Sequence, residues 1–323
     1  MSKKVGLTVL ICVLLISLFC VPSSLAASKD VTLAYITPSI AIPFWKWLGD
    51  GILEEANKMG VEVVIYDSHN DSRTQLRNTE DAITRGIDGI IISPTDSAAC
   101  VSVLNAAKAA GVPVVIDDIG TLAGEYVSFV ISDNYEGARK ACELLVQKMT
   151  EKGWAHEPVS VVTIPLARLN GQLRTKGFSD VMRENDFPVV SISSVVADIR
   201  REGIKFVEDQ LTAHPDLRGI FLETDELVQA AVTAIKEAGK LDDIVIAGFD
   251  GSETTYKYIK DGIVVGQSMQ QPVEMGRQGF KAMWKYLQGE DPAKEILVPV
   301  ILVTTENAEE VKSDLEKNVW PAN

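Results

Sequence analysis

Hydrophobic positions in this chain fall into short continuous runs, and the stretches between them carry apolar residues at helical spacing. Gly111–Asp118 (G-V-P-V-V-I-D-D) sets the pattern. A helix stops at Gly111, a β-branched apolar run follows, and two adjacent aspartates close it. A run without polar alternation predicts a strand buried on both faces, as in a parallel sheet. Asp117 and Asp118 then stand at the carboxyl edge of the sheet, where open α/β sheets hold their ligands.

The same helix–Gly–strand unit occurs at M-G-V-E-V-V-I-Y-D (59–67) and R-G-I-D-G-I-I-I-S-P (85–94). A spacing of about 25 residues is what βαβ units with short loops require. Strands are expected at 31–37, 61–67, 87–94 and 111–118, with helices at 44–59, 72–85 and 95–110 between them. Ser72 is the expected N-cap of the second helix and Gly86 its C′ residue.

From Asp133 the alternation restarts. Helices are predicted at 134–152, 170–185, 201–213 and 226–238, then a short one ending at Lys260, then 272–287 with Pro272 in its first turn. Strands are predicted at 159–164, 189–196, 219–223, 244–249, 263–269 and 298–303, and a polar tail ends the chain. The fold class is therefore α/β: two Rossmann-like, doubly wound lobes. The chain crosses between them near Ser132, Gln271 and Leu302, which gives one lobe of residues 27–132 plus 271–301 and a second of 133–270 plus 302–323.

Charge and the N-terminus narrow the setting. In 323 residues, 45 Asp and Glu outweigh 31 Lys and Arg, for a formal net charge of −14. So acidic a surface repels nucleic acid and anionic lipid, and no basic run offsets it. Lys3 and Lys4, the apolar run Val5–Val21 and the small residues Ser23–Ala27 describe a secretory signal peptide over residues 1–26, cut after Ala26. The run is nearly long enough to be an uncleaved anchor, but Pro22 and the Ser-Leu-Ala site favour cleavage. Cys20 raises lipid anchoring, which the bulk of Phe19 before it disfavours. After cleavage Cys100 and Cys142 remain. An exported pair can form a disulfide, yet each sits among Ala, Val and Leu at helical spacing, the pattern of a small buried hydrophobe. His69, His156 and His214 are far apart, and no zinc-type spacing occurs. No metal or cofactor is expected.

Eight motifs lie in order along the chain: P-F-W (43–45), I-S-P-T-D-S (92–97), V-P-V-V-I-D (112–117), I-S-D-N (131–134), R-T-K-G-F (174–178), L-T-A-H-P-D (211–216), A-G-F-D-G (247–251) and Q-Q-P (270–272). In this register the chain resembles the ribose-type periplasmic solute-binding proteins of ABC importers. The resemblance implies two lobes joined by three hinge crossings, closing on one small ligand and docking onto a membrane permease. It matches Phe44 and Trp45 to a ring-stacking aromatic pair, Asp117 and Asp250 to hydroxyl-accepting aspartates, and Gln270 to a hinge glutamine. The chain departs from the ribose pattern at Ile42, Ser93, Asp118, Gln172, Ile199 and Thr224. Asp118 and Gln172 stand where that pattern has arginines, which argues against ribose itself.

These residues suit a polyhydroxylated ligand. Ionised carboxylates accept hydroxyls in charge-assisted bonds, and aromatic faces cover the apolar faces of a ring. Ser93, Gln172, Thr224 and Gln270 can donate as well as accept. Arg168 can supply a guanidinium from the loop before its helix, or end in a surface ion pair. Strand-end aspartates also cap turns, and Asp118 can face ligand or water alike. Trp47 and Leu48 are assigned to the core, because one helix cannot turn four large residues toward a cleft. Asp117 and Asp250 could mimic a glycosidase carboxylate pair, but no further catalytic group, G-x-S-x-G, Cys–His pair or phosphate loop accompanies them. The expectation is a non-enzymatic, monomeric, periplasmic receptor that captures a neutral sugar or sugar alcohol for an ABC permease. The alternative is a sensor subunit presenting a furanosyl-type signal or other metabolite to a receptor kinase. A repressor of the same fold is set aside, since a signal peptide occupies the place of a DNA-binding headpiece.

Overall fold

A computed structural model of the chain describes residues 31–321, so the expected signal peptide lies outside the described residues. Eight elements open the chain: β1 (Thr32–Thr37), α1 (Pro43–Met59), β2 (Glu62–Asp67), α2 (Ser72–Thr84), β3 (Gly89–Ile92), α3 (Cys100–Ala110), β4 (Val114–Asp117) and β5 (Ser128–Ser132). Ten follow in the same alternation: α4 (Asn134–Glu151), β6 (Val159–Thr163), α5 (Leu169–Glu184), β7 (Val189–Ser194), α6 (Ile199–Ala213), β8 (Gly219–Leu222), α7 (Asp225–Glu237), β9 (Val245–Phe249), α8 (Glu253–Lys260) and β10 (Gly266–Met269). The last four are α9 (Pro272–Leu287), β11 (Glu295–Val298), β12 (Ile301–Thr304) and α10 (Ala308–Asn318).

The strands form two six-stranded sheets, ordered β11-β5-β4-β3-β1-β2 and β12-β10-β9-β8-β6-β7. Every pairing is parallel except β12 against β10. The described residues thus make two α/β lobes of matching strand order. The chain passes between the sheets after β5, after β10 and between β11 and β12.

Alternation within each strand sets the two cores of a lobe. In the first sheet Leu33, Tyr35, Ile91 and Val115 face α1 and α9, where Met275 and Phe280 meet them. Ala34, Ile36, Ile90 and Ile116 face α2 and α3. The second sheet packs likewise against α4 and α5 on one face and α6, α7, α8 and α10 on the other. Helix α9 returns to the first lobe by touching α1 backbone to backbone: a Cβ added at Gly51 would lie 2.0 Å from Val273 O, and one at Gly276 2.0 Å from Leu48 O.

Several expected ends move. Asp71, rather than Ser72, caps α2, its carboxylate accepting the Thr74 N–H. Helix α3 begins at Cys100, because Asp96 holds the preceding segment in a turn by accepting the Ala99 N–H. The strand expected at 298–303 is two strands in different sheets: Pro299, with no N–H to give, sits where the chain changes lobe. Strand β5 had no counterpart among the expected elements, and the polar tail forms α10. Cys100 and Cys142 are both buried and free, one on α3 and the other on α4. Among the described residues no helix is long and apolar enough to cross a membrane.

Candidate functional site

The carboxyl ends of both sheets open onto one cavity of about 280 Å3. Strand β4 is third in its sheet and β9 third in the other. The residue after each is an aspartate with left-handed backbone, Asp118 at φ 66° and Asp250 at φ 62°. That conformation is uncommon outside glycine and most accessible to Asn and Asp. It turns each side chain out of the sheet, and both line the cavity.

Asp250 is held firmly. Its Oδ1 accepts Gln270 Nε2 at 2.5 Å, and its Oδ2 faces Arg174 Nη1 at 3.3 Å. Arg174 is 1 % exposed. It donates to Asn134 Oδ1 (2.8 Å) and Glu223 O (2.5 Å), and its guanidinium lies 3.9 Å from the Phe249 ring centroid. Asn134 itself donates to Ser132 O at the first crossing, so this network ties the cavity wall to the hinge. Behind it Glu223 accepts the Thr175 hydroxyl and the Ile164 N–H, and burial pushes its carboxyl up to about 8.

Asp118 has thinner support. Its Oδ2 accepts Asn170 Nδ2 from the other lobe at 3.2 Å, while Oδ1 is buried without a partner. Burial pushes this carboxyl up to about 7. Gln270 Oε1 is likewise buried and unpartnered. Asp225 beside the cavity is also pushed up to about 7 by burial, and Glu226 is raised for the same reason.

The lobes touch around the cavity. Arg168 Nε donates to Thr95 O (3.2 Å), and the Leu169 N–H to Ser97 Oγ (3.2 Å). Leu169 and Leu173, on α5 of the second lobe, pack on the first-lobe core. Trp47, on α1 of the first lobe, packs on the second-lobe core.

Of the residues singled out in the sequence, Phe44, Trp45, Asp118, Arg168, Thr224, Asp250 and Gln270 line the cavity. Asp117, Ser93 and Gln172 do not. In β4 odd positions point toward α9, so Asp117 buries its carboxylate against Gly279, where an added Cβ would lie 2.3 Å from Oδ2. Neither of its oxygens has a partner, and burial raises its pKa well above the carboxylate range. The cleft-facing aspartate after β4 is thus Asp118, one place later than the motif register put it. Ser93 follows β3 on the same sheet face as Asp117 and is fully buried. Gln172 turns back, donating to Leu166 O at 2.9 Å. Phe44 and Trp45 meet edge to face, 4.8 Å between centroids and 86° between planes, so they do not present parallel ring faces.

Sequence reasoning missed Asn170, Arg174, Asp225 and Glu226, and gave Trp47 only to the core; all five line the cavity. Asn170, Arg174 and Phe178 recur every four residues, so two polar groups share an apolar helix face. That was the available signal.

Fold and cavity define a two-lobed protein whose candidate ligand site is walled by both lobes. The chain belongs to the periplasmic binding protein domain family, whose signature matches residues 33–291. It is 33 % identical over 282 residues to the ribose import binding protein of Escherichia coli (strain K12), covering 87 % of this chain and 93 % of that one. The ribose import binding protein of Bacillus subtilis (strain 168) is also 33 % identical, over 88 % of this chain and 90 % of its own. Among solved structures, a carbohydrate transporter solute-binding protein of Agrobacterium radiobacter in complex with D-arabinose matches with TM-score 0.82 and 25 % identity, over 91 % of this chain and 100 % of that one.

Proposed function

We propose that this protein is an exported receptor that captures a small neutral sugar or sugar alcohol between its lobes and delivers it to an ABC permease. One observation carries the reading. Aspartates at matching stations of the two sheets line a single cavity, and in its wall Asp118 Oδ1 and Gln270 Oε1 are buried without donors. A polyol supplies several O–H donors at once, and leaving such acceptors unpaired is costly. The relatives named for ribose import and the D-arabinose complex point to the same ligand class.

Asp118, Asp250 and Gln270 accept hydroxyls, Asn170 and Thr224 complete the polar wall, and Phe44 with Trp45 gives apolar contact. Arg174 positions Asp250 rather than replacing it. The ligand bridges the lobes and shifts an open–closed equilibrium. The protein acts as a monomer in the periplasm and presents both lobes to the permease only when they are closed. Binding rather than catalysis is its role.

Isothermal titration of the mature chain with pentoses, hexoses and alditols tests this. Saturable one-site binding by at least one of them, lost in Asp250→Ala without loss of the fold, is expected. Silence toward every polyhydroxy compound would overturn the reading.

A further inference from the structure

The cavity is polarised across the width of the sheets. Its acceptors Asp118 and Asp250 follow β4 and β9, third in their sheets. Its aliphatic residues come from elsewhere. Ile42 precedes α1 in the loop after β1, and Ile164 directly follows β6; both strands are fifth in their sheets. Ile199 opens α6 and, with Trp47, packs against the core cluster that contains Ile164.

The apolar pole takes side chains from both lobes, so it closes as the lobes do. Arg168 and Asn170, which follow β6 as Ile164 does, and Arg200, next to Ile199, also line the cavity, but Ile42, Trp47, Ile164 and Ile199 themselves offer a ligand atom neither acceptor nor donor, apart from the indole N–H. A hydroxyl delivered there is stripped of water without replacement, whereas a methyl gains contact. At the opposite pole the unpartnered oxygens are acceptors and require O–H donors.

Resting on the sugar-receptor reading, we propose that the ligand is amphipathic: a deoxy or methyl-branched monosaccharide, bound with its hydroxyls at Asp118 and Asp250 and its reduced carbon among Ile42, Trp47, Ile164 and Ile199. The cavity selects against a sugar carrying a terminal hydroxymethyl at that pole.

Matched pairs differing by one oxygen test it: D-galactose against 6-deoxy-D-galactose, L-mannose against 6-deoxy-L-mannose, and D-ribose against 5-deoxy-D-ribose, each titrated calorimetrically into the mature protein. In a pair that binds, the deoxy member is expected to bind about tenfold more tightly or better. Ile199→Asn, on a half-exposed side chain, is expected to keep the melting temperature and to shrink that ratio several-fold by giving the extra hydroxyl a partner. Equal or tighter binding of the hydroxylated member in every binding pair would overturn the proposal and leave the sugar receptor standing. An undiminished ratio in a folded Ile199→Asn protein would remove Ile199 from the apolar pole and so contradict the placement. Absence of binding by all six sugars and by alditols would overturn both readings.

Discussion

Asp118 and Asp250 occupy the same station in two similar lobes, share a left-handed backbone and face one cavity, yet they are supported differently. Asp250 is clamped within its own lobe by Arg174 and by Gln270 at the crossing into α9. The Asp118 carboxylate accepts one hydrogen bond, and that comes from Asn170 across the cleft. On the proposed function, the contrast assigns different work to the two walls. The second lobe carries a preorganised acceptor that can take the ligand while the lobes are apart. The first lobe carries an acceptor completed only by closure and by the ligand, so its contribution falls on the closing step.

Removing the anchored acid should have the largest effect. Asp250→Ala is expected to weaken binding about 100- to 1,000-fold by calorimetry, since it deletes a two-oxygen acceptor and removes one of the partners of Arg174. Equal losses in Asp250→Ala and Asp118→Ala would erase the distinction between the walls.

Asp118→Asn should cost less, about 10- to 30-fold, because one oxygen still accepts. It also carries a pH signature. With the carboxyl raised to about 7, the ionised acceptor is lost as pH falls through 7, so affinity should drop about tenfold between pH 8 and pH 6. In Asp118→Asn that slope should shrink to what Asp225, also raised to about 7 on the cavity wall, contributes, which titrations at the two pH values would read.

A third contrast sets Asp118 against its neighbour. Asp117 is buried without a partner and with a raised pKa. The native state therefore holds a proton that the unfolded chain releases above about pH 4. This carboxyl then costs stability increasingly as pH rises from there toward its folded pKa. Asp117→Leu should stabilise the protein by about 1–3 kcal/mol at pH 7 in urea unfolding, and less at pH 4, with sugar affinity unchanged. A loss of affinity would return Asp117 to the ligand site.

The smallest effect is expected at the contact between lobes. Leu169→Ala removes apolar packing that forms only when the lobes meet, and should weaken binding about two- to fivefold. The free protein should become more open in small-angle scattering. No change in either would mean that closure draws nothing from this contact.

Much of the fold was legible because parallel strands buried on both faces are continuous apolar runs, and Gly111 ends α3 in the left-handed conformation its type favours. Strand β5 escaped because Ser128–Ser132 begins and ends in serine. The β11–β12 pair looked like one strand because the break at Pro299 is a change of sheet, which local pattern does not carry. In the site, Asp250 and Gln270 were legible from motifs. The choice between Asp117 and Asp118 was not, since adjacent aspartates at a strand end differ only in which side of the pleat they face. Arg174 was passed over because a buried guanidinium answering Asp250, Asn134 and Glu223 depends on partners 76, 40 and 49 residues away.

The most direct test is a crystal structure of the mature protein with the best-binding monosaccharide. It should show one sugar between the lobes, with hydroxyls at about 2.5–3.0 Å from Asp118 Oδ1 and from the Asp250 carboxylate. A sugar bound elsewhere, or one in the cavity that leaves Asp118 Oδ1 without a donor, would contradict it.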